Sequence, residues 1–203
     1  MATIAEGLLT LFRDLLAARE DARVREFVGT LDPVMSERAL APHPLASLAH
    51  LDRAARIVPE PMRHAAGYLA AHRRSLHWGQ TYSAADFGPD FLANYGWVEV
   101  FGTRGHFENE AMAGGFLLLG PETVYPDHHH IAEEIYIPLT GGSEWRKGDG
   151  PFLPREAGEV IHHPSNVNHA MRTGAEPLLA LYLWRGGPLA QRSVITAAAQ
   201  EGC

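Results

Sequence analysis

Apolar and polar positions follow two different rhythms along this chain. Up to about His77 the apolar residues recur at helical spacing. Leu8, Leu9, Phe12, Leu15 and Leu16 form one stripe, with Arg13 and Asp14 off it. A second helix is expected over residues 21–31, stopping before Pro33, and a third between Pro44 and Pro59. A fourth, rich in Ala, Leu and Arg, follows Pro61 and extends toward Trp78. Residues 81–94 read as loop. Beyond Gly96 the rhythm shortens to strand-length runs separated by Gly, Pro or Asp: 97–102, 114–120, 134–141, 143–148, 158–164 and 178–186. Short strands with turns at fairly even intervals predict a sandwich or barrel. The expected organisation is a helical region over residues 1–90, packed as a cap or dimerisation surface on a β-barrel over residues 91–203.

Composition narrows the function classes. At 203 residues the chain is long enough to bury a sizeable core. A net charge of -7 argues against sequence-independent nucleic-acid binding, which needs a basic footprint. No apolar run approaches the roughly 18 residues of a membrane span. The first residues lack a basic leader and carry acids within their apolar pattern, so the expected location is cytoplasmic. The single cysteine, Cys203, excludes an intrachain disulfide and is read as incidental.

The chemistry is concentrated in the run His128-His129-His130, followed by Glu134 and Tyr136 and answered by the distant His169. Alternate side chains of a strand share a face. His128 and His130 are therefore expected to point one way and His129 the other. If the strand persists, Glu134 and Tyr136 fall on the parity of His128 and His130. Two imidazoles, a carboxylate and a phenol make a poor core unless a cation binds them, and a third imidazole from another strand would complete the set.

Two segments carry a family resemblance. Gly120, seven residues, His128-His129-His130, three residues, Glu134, six residues and Gly141 resemble the first cupin motif. Gly158, five residues, Pro164, Ser165, Asn166, two residues and His169 resemble the second. The chain departs from the usual pattern at Asn166, where Gly is common, and at Thr173, where Asn is common. Asn tolerates the left-handed conformation of a tight turn, and Thr173 lies outside the ligand set. Among cupins, Tyr125 before the histidine pair and the Glu134-to-Tyr136 step look like the dimethylsulfoniopropionate (DMSP) lyases that carry a helical N-terminal region. Those enzymes cleave DMSP to dimethyl sulfide and acrylate with a divalent metal.

The resemblance implies a mainly β fold, a double-stranded β-helix (cupin) barrel with an N-terminal α-helical region. It implies one divalent transition metal (Zn, Fe, Mn, Co or Ni) held by His128, His130, Glu134 and His169, with Tyr136 as the base. Tyr125 and Trp184 match pocket-lining aromatics; substrate contact and barrel-mouth packing stand equally open for Tyr125, while a core position is the plainer reading of Trp184. A small zwitterionic substrate, no nucleic-acid or membrane partner, and a monomer or homodimer complete the expectation. A phenol has a reference pKa near 10, and each unit below that requires about 1.4 kcal/mol of preferential stabilisation of its anion. A nearby divalent cation supplies such stabilisation. The sulfonium is expected to need an aromatic wall rather than a hard anion. Other expectations are that His129 faces out, that His162 and His163 sit at the rim or in solvent, and that Arg146 and Lys147 are solvated. Tyr95 and Trp97 are read as a plug between cap and barrel. Another cupin metalloenzyme (an oxygenase or an isomerase) or a non-catalytic small-molecule-binding cupin would use the same ligands, so these readings stay open.

Overall fold

The alternation Leu179, Leu181, Leu183 against Ala180, Tyr182, Trp184 sets the architecture, because each set belongs to a different core. In the computed structural model, which describes residues 2–32 and 34–196, Leu178–Arg185 forms a central strand. Its leucine set packs outward against helices; Ala180, Tyr182 and Trp184 turn into the barrel. Cys203 lies outside the described residues.

The helices begin where their caps dictate. In α1 (Ile4–Ala17) the Thr3 hydroxyl accepts from the Glu6 N–H at 3.0 Å, and the Glu6 carboxylate accepts from the Thr3 N–H at 2.6 Å. The stripe Leu8, Leu9, Phe12, Leu15 and Leu16 is buried as expected. In α2 (Ala22–Val28) the Asp21 carboxylate caps Arg23 and Val24. The third predicted helix divides into a 3-10 turn (Ala46–His50) and α3 (Leu51–Ile57).

Two expectations need correction. Helix α4 (Arg63–His72) ends well before Trp78, whose buried indole donates to the Arg73 carbonyl at 3.0 Å. Trp78–Gly79 instead forms a strand, β1. Residues 81–94, expected as loop, contain α5 (Ala84–Asn94), with Gly88 kinked at φ 80. The Gly88-Pro89 pair reads as a terminator, yet a capping box at Ser83 and Asp86 starts the helix and the chain resumes it beyond the kink.

The remaining strands are β2 (Tyr95–Gly102), β3 (Phe107–Glu108), β4 (Met112–Leu119), β5 (Val124–His129), β6 (Glu133–Pro138), β7 (Ser143–Lys147), β8 (Leu153–Arg155), β9 (Ile161–His163), β10 (His169–Arg172), β11 (Leu178–Arg185) and β12 (Val194–Ile195). They build two facing sheets. One has seven strands, ordered β1-β2-β4-β11-β6-β9 with β3 beside β2; the other is β12-β5-β10-β7-β8. The pairing is antiparallel except for β2 with β3. This is the cupin arrangement, carrying helices on one face. Among the described residues no helix is long and apolar enough to cross a membrane.

The helices cover the outer face of the larger sheet. Phe12 meets Phe101 and Phe116 edge to face, with centroids 5.4 and 5.3 Å apart. Phe12→Ala should cost about 3–5 kcal/mol, the usual range for a fully buried Phe. At about 2–4 °C per kcal/mol for a chain of this size, thermal unfolding shows that loss directly. An unchanged melting temperature would contradict the packing.

Candidate metal centre and cavity

The histidine run sits where the chain leaves one sheet and enters the other. His128 lies in β5 of the smaller sheet; His130 follows the strand, and Glu134 and Tyr136 belong to β6 of the larger sheet. A single persistent strand is therefore not what aligns the four residues. Each strand contributes its own inward parity across the bend at Ile131-Ala132. In β6, Ile135 and Ile137 join the outer core while Tyr136 joins the inner one. His128, His130 and Glu134 are buried, and His129 is turned away and half-buried.

His169 opens β10 directly opposite His128. The turn before it holds Asn166 at φ 59, the left-handed conformation expected of that position. Thr173 ties the two motifs together: its hydroxyl donates to the Gly120 carbonyl at 2.7 Å and accepts from the Thr123 N–H at 2.9 Å.

Each of the three imidazoles is oriented through Nδ1. Nδ1–H of His128 donates to the Pro126 carbonyl at 2.8 Å, that of His130 to Ala132 at 2.8 Å, and that of His169 to Val167 at 2.9 Å. With Nδ1 serving the backbone, the neutral form of each ring directs an Nε2 lone pair inward; His130 Nε2–H here donates to Glu134. The three rings can offer ligand atoms lying within 4.8 Å of one another. Glu134 Oε2 stands 3.1 Å from His130 Nε2 and 3.2 Å from His169 Nε2. His169 Nε2 is buried without a hydrogen-bond partner. Three imidazoles and a carboxylate converging in a buried site fit a divalent transition cation, and no thiolate narrows which one.

Trp184 fixes the carboxylate. It lies opposite Glu134 in the β6–β11 register, and its indole N–H donates to Glu134 Oε1 while its ring lies 4.1 Å from that of His130. The electrostatics follow the geometry. Burial drives the His128 imidazole well below its usual range. Burial also lowers His130, but the Glu134 carboxylate outweighs it and raises that ring. Burial opposes ionisation of Glu134, yet His130 and His169 hold it well below the usual carboxylate range. Burial first, and then the Glu134 charge, push the Tyr136 phenol well above its usual range.

A cleft of about 470 Å³, solvent at its mouth included, opens beside this cluster and is lined by Tyr125, Tyr136 and Trp184. Tyr125 stacks on His128 at 4.2 Å and shares a hydrogen bond of 2.9 Å with the Tyr82 hydroxyl. Three expectations change here. His163 is not at the rim: it is buried opposite Glu134, stacked on His169 at 4.1 Å, with neither ring nitrogen partnered and burial lowering it to about 2. His162 is half-buried and bonds Glu133 at 2.6 Å. Arg146 is not free in solvent but paired with the buried Asp127. Tyr95 and Trp97 do not merely plug the cap; they line the cleft and donate to the Thr81 hydroxyl at 3.2 and 3.1 Å.

Glu99, Arg104 and Tyr182 also line the cleft and escaped the sequence reading. The available signal was parity. Glu99 shares a face with Trp97 in β2, and Tyr182 shares one with Trp184 in β11. A carboxylate inside an otherwise apolar strand invites a partner.

Known proteins agree with this architecture. The dimethylsulfoniopropionate lyase family model matches residues 18–180. The dimethylsulfoniopropionate lyase DddQ of Ruegeria pomeroyi is 30% identical over 186 residues, covering 86% of this chain and 89% of that one. The crystal structure of DddQ from that organism superposes with a TM-score of 0.81 at 27% identity, covering 98% of each chain. A structure reported with the DMSP lyases RdDddP and RnDddQII gives a TM-score of 0.85 at 29% identity, covering 95% of this chain and 97% of that one. With the family model spanning most of its length and a fold shared end to end, this chain belongs to the dimethylsulfoniopropionate lyase family, whose members are carbon–sulfur lyases.

Proposed function

We propose that the protein is a metal-dependent DMSP lyase that releases dimethyl sulfide and acrylate by β-elimination. The observation that carries this reading is the convergence of three buried imidazoles and the Glu134 carboxylate next to the Tyr136 phenol, at the edge of an aromatic cleft. His128, His130, Glu134 and His169 would hold the metal. When bound, it supplies a Lewis acid that eases charge build-up on the substrate carboxylate and lowers the Tyr136 pKa.

The remaining work falls to side chains. Tyr136, as phenolate, takes the proton from Cα. The C–H electron pair becomes the Cα–Cβ double bond, and the Cβ–S pair leaves on sulfur as neutral dimethyl sulfide. The leaving group therefore needs no proton, and the proton on Tyr136 returns to solvent before the next turnover. Tyr125 and Trp184 enclose the substrate, and Trp184 also orients Glu134. The one cationic side chain lining the cleft among the described residues, Arg104, is paired with Glu99, which leaves an isomerase without a free phosphate grip.

Purified protein given DMSP should release dimethyl sulfide and acrylate in equal amounts; ligand binding without product would favour the non-catalytic reading. Trp184→Phe keeps a ring but removes the indole N–H. Metal titration should show affinity falling by about 10–100-fold, the usual effect of losing a partner that orients a ligand. Unchanged affinity would assign Trp184 to packing alone.

A further inference from the structure

On the inner face of the larger sheet, Glu99, Gly115, Tyr182 and Tyr136 occupy one register row across β2, β4, β11 and β6. Gly115 leaves the row open at its middle. A Cβ there would stand 2.9 Å from the Tyr182 hydroxyl, so that phenol reaches over Gly115 toward Glu99. The row thus runs from the base proposed above to a second buried carboxylate.

Glu99 is 2% exposed, and its two oxygens differ. Oε1 accepts from the Arg104 N–H at 2.7 Å. Oε2 is buried without a hydrogen bond, 3.5 Å from Arg104 Nη2. Gln191 Oε1, lining the same cleft, also lacks a donor. A buried carboxylate oxygen and a buried amide oxygen without hydrogen bonds favour a positive group there, and the rings of Trp97, Tyr182 and Trp184 suit one with an apolar surface. Arg104, the ion-pair partner of Glu99 at 3.5 Å, offsets this field only in part. Its side chain is 35% exposed, and its guanidinium lies 4.7 Å from the Trp97 ring centre. Its charge is thus screened by water while the carboxylate faces a low-dielectric interior.

We infer that Glu99 is the counter-charge for the cationic end of the substrate and makes the cleft selective for small carboxylates bearing an onium group. The inference rests on the lyase reading for the placement of the substrate carboxylate at the histidine cluster. It departs from the expectation that an aromatic wall rather than an anion serves the cationic end, by placing a buried carboxylate beside that wall.

The test compares two ligands of one shape on the metal-loaded protein: 3-(trimethylammonio)propionate and 4,4-dimethylpentanoate, in which a neutral carbon replaces the cationic nitrogen. Calorimetry should show wild type binding the ammonium compound at least about tenfold more tightly. In Glu99→Gln that preference should collapse toward unity while affinity for 4,4-dimethylpentanoate stays the same. Glu99→Asp, which keeps the charge, should retain the preference. Equal weakening of both ligands in Glu99→Gln would assign the residue to structure and overturn the inference. So would an unchanged ratio, loss of preference in Glu99→Asp, or no preference in wild type; this last result decides the matter even if Glu99→Gln fails to fold. Dimethyl sulfide release is read separately. Selectivity without release would sink the lyase reading alone, and release without selectivity would sink this one.

Discussion

Tyr136→Phe should abolish dimethyl sulfide release while the protein stays folded and binds its metal. The substitution removes one oxygen from a ring held among Trp145, His163 and Tyr182, so packing changes little. General-base catalysis contributes about 10²–10⁴-fold, and the rate should fall by at least that range. Tyr136 is pushed upward by burial and by the Glu134 charge, which favours the neutral phenol. A divalent cation held by Glu134 and the histidines would reverse the sign of that local field. Loss of turnover should therefore occur with metal content measured by elemental analysis unchanged. Full activity in the variant would remove Tyr136 from the mechanism. Loss of metal together with activity would make it a ligand instead.

The second large effect is expected at His169. His169→Ala removes the imidazole that joins β10 to the cluster, leaving His128 and His130 from the other motif. Metal should be lost on dialysis, and turnover should fall by more than about 100-fold, beyond the usual effect of residues that only orient a ligand. His129→Ala is the matched control. Its side chain faces away from the cluster, so metal content and rate should match wild type. A His129 variant as impaired as His169→Ala would mean that parity has been assigned the wrong way round.

The strands were legible because alternation is a local property. In β11, leucines on one parity and Ala180, Tyr182 and Trp184 on the other reveal two faces before any partner is known. The histidine motifs were legible from their residue spacing, with the left-handed Asn166 marking the turn, although the chain bends between His130 and Glu134. What stayed hidden depends on partners distant in sequence. His162 and His163 have opposite parity, but only the pairing of β9 with β6 shows that His163 is the one facing Glu134's side of the sheet. Glu99 looked like one acid in a run of apolar residues, and its position in the cleft requires the register with Gly115. Helix α5 was concealed by Gly88-Pro89, which signals a stop although the structure makes it a kink. Trp78 ends the preceding helical segment through burial and a hydrogen bond that no local propensity records.

The central claim is that the buried histidine cluster and Glu134 hold a metal on which elimination depends. The most direct measurement is headspace dimethyl sulfide from purified protein and DMSP, before chelation, after chelation, and after adding back single divalent metals. The account predicts release before chelation, loss of release with the chelator, and recovery with at least one metal. Undiminished release from protein shown to be metal-free would contradict it.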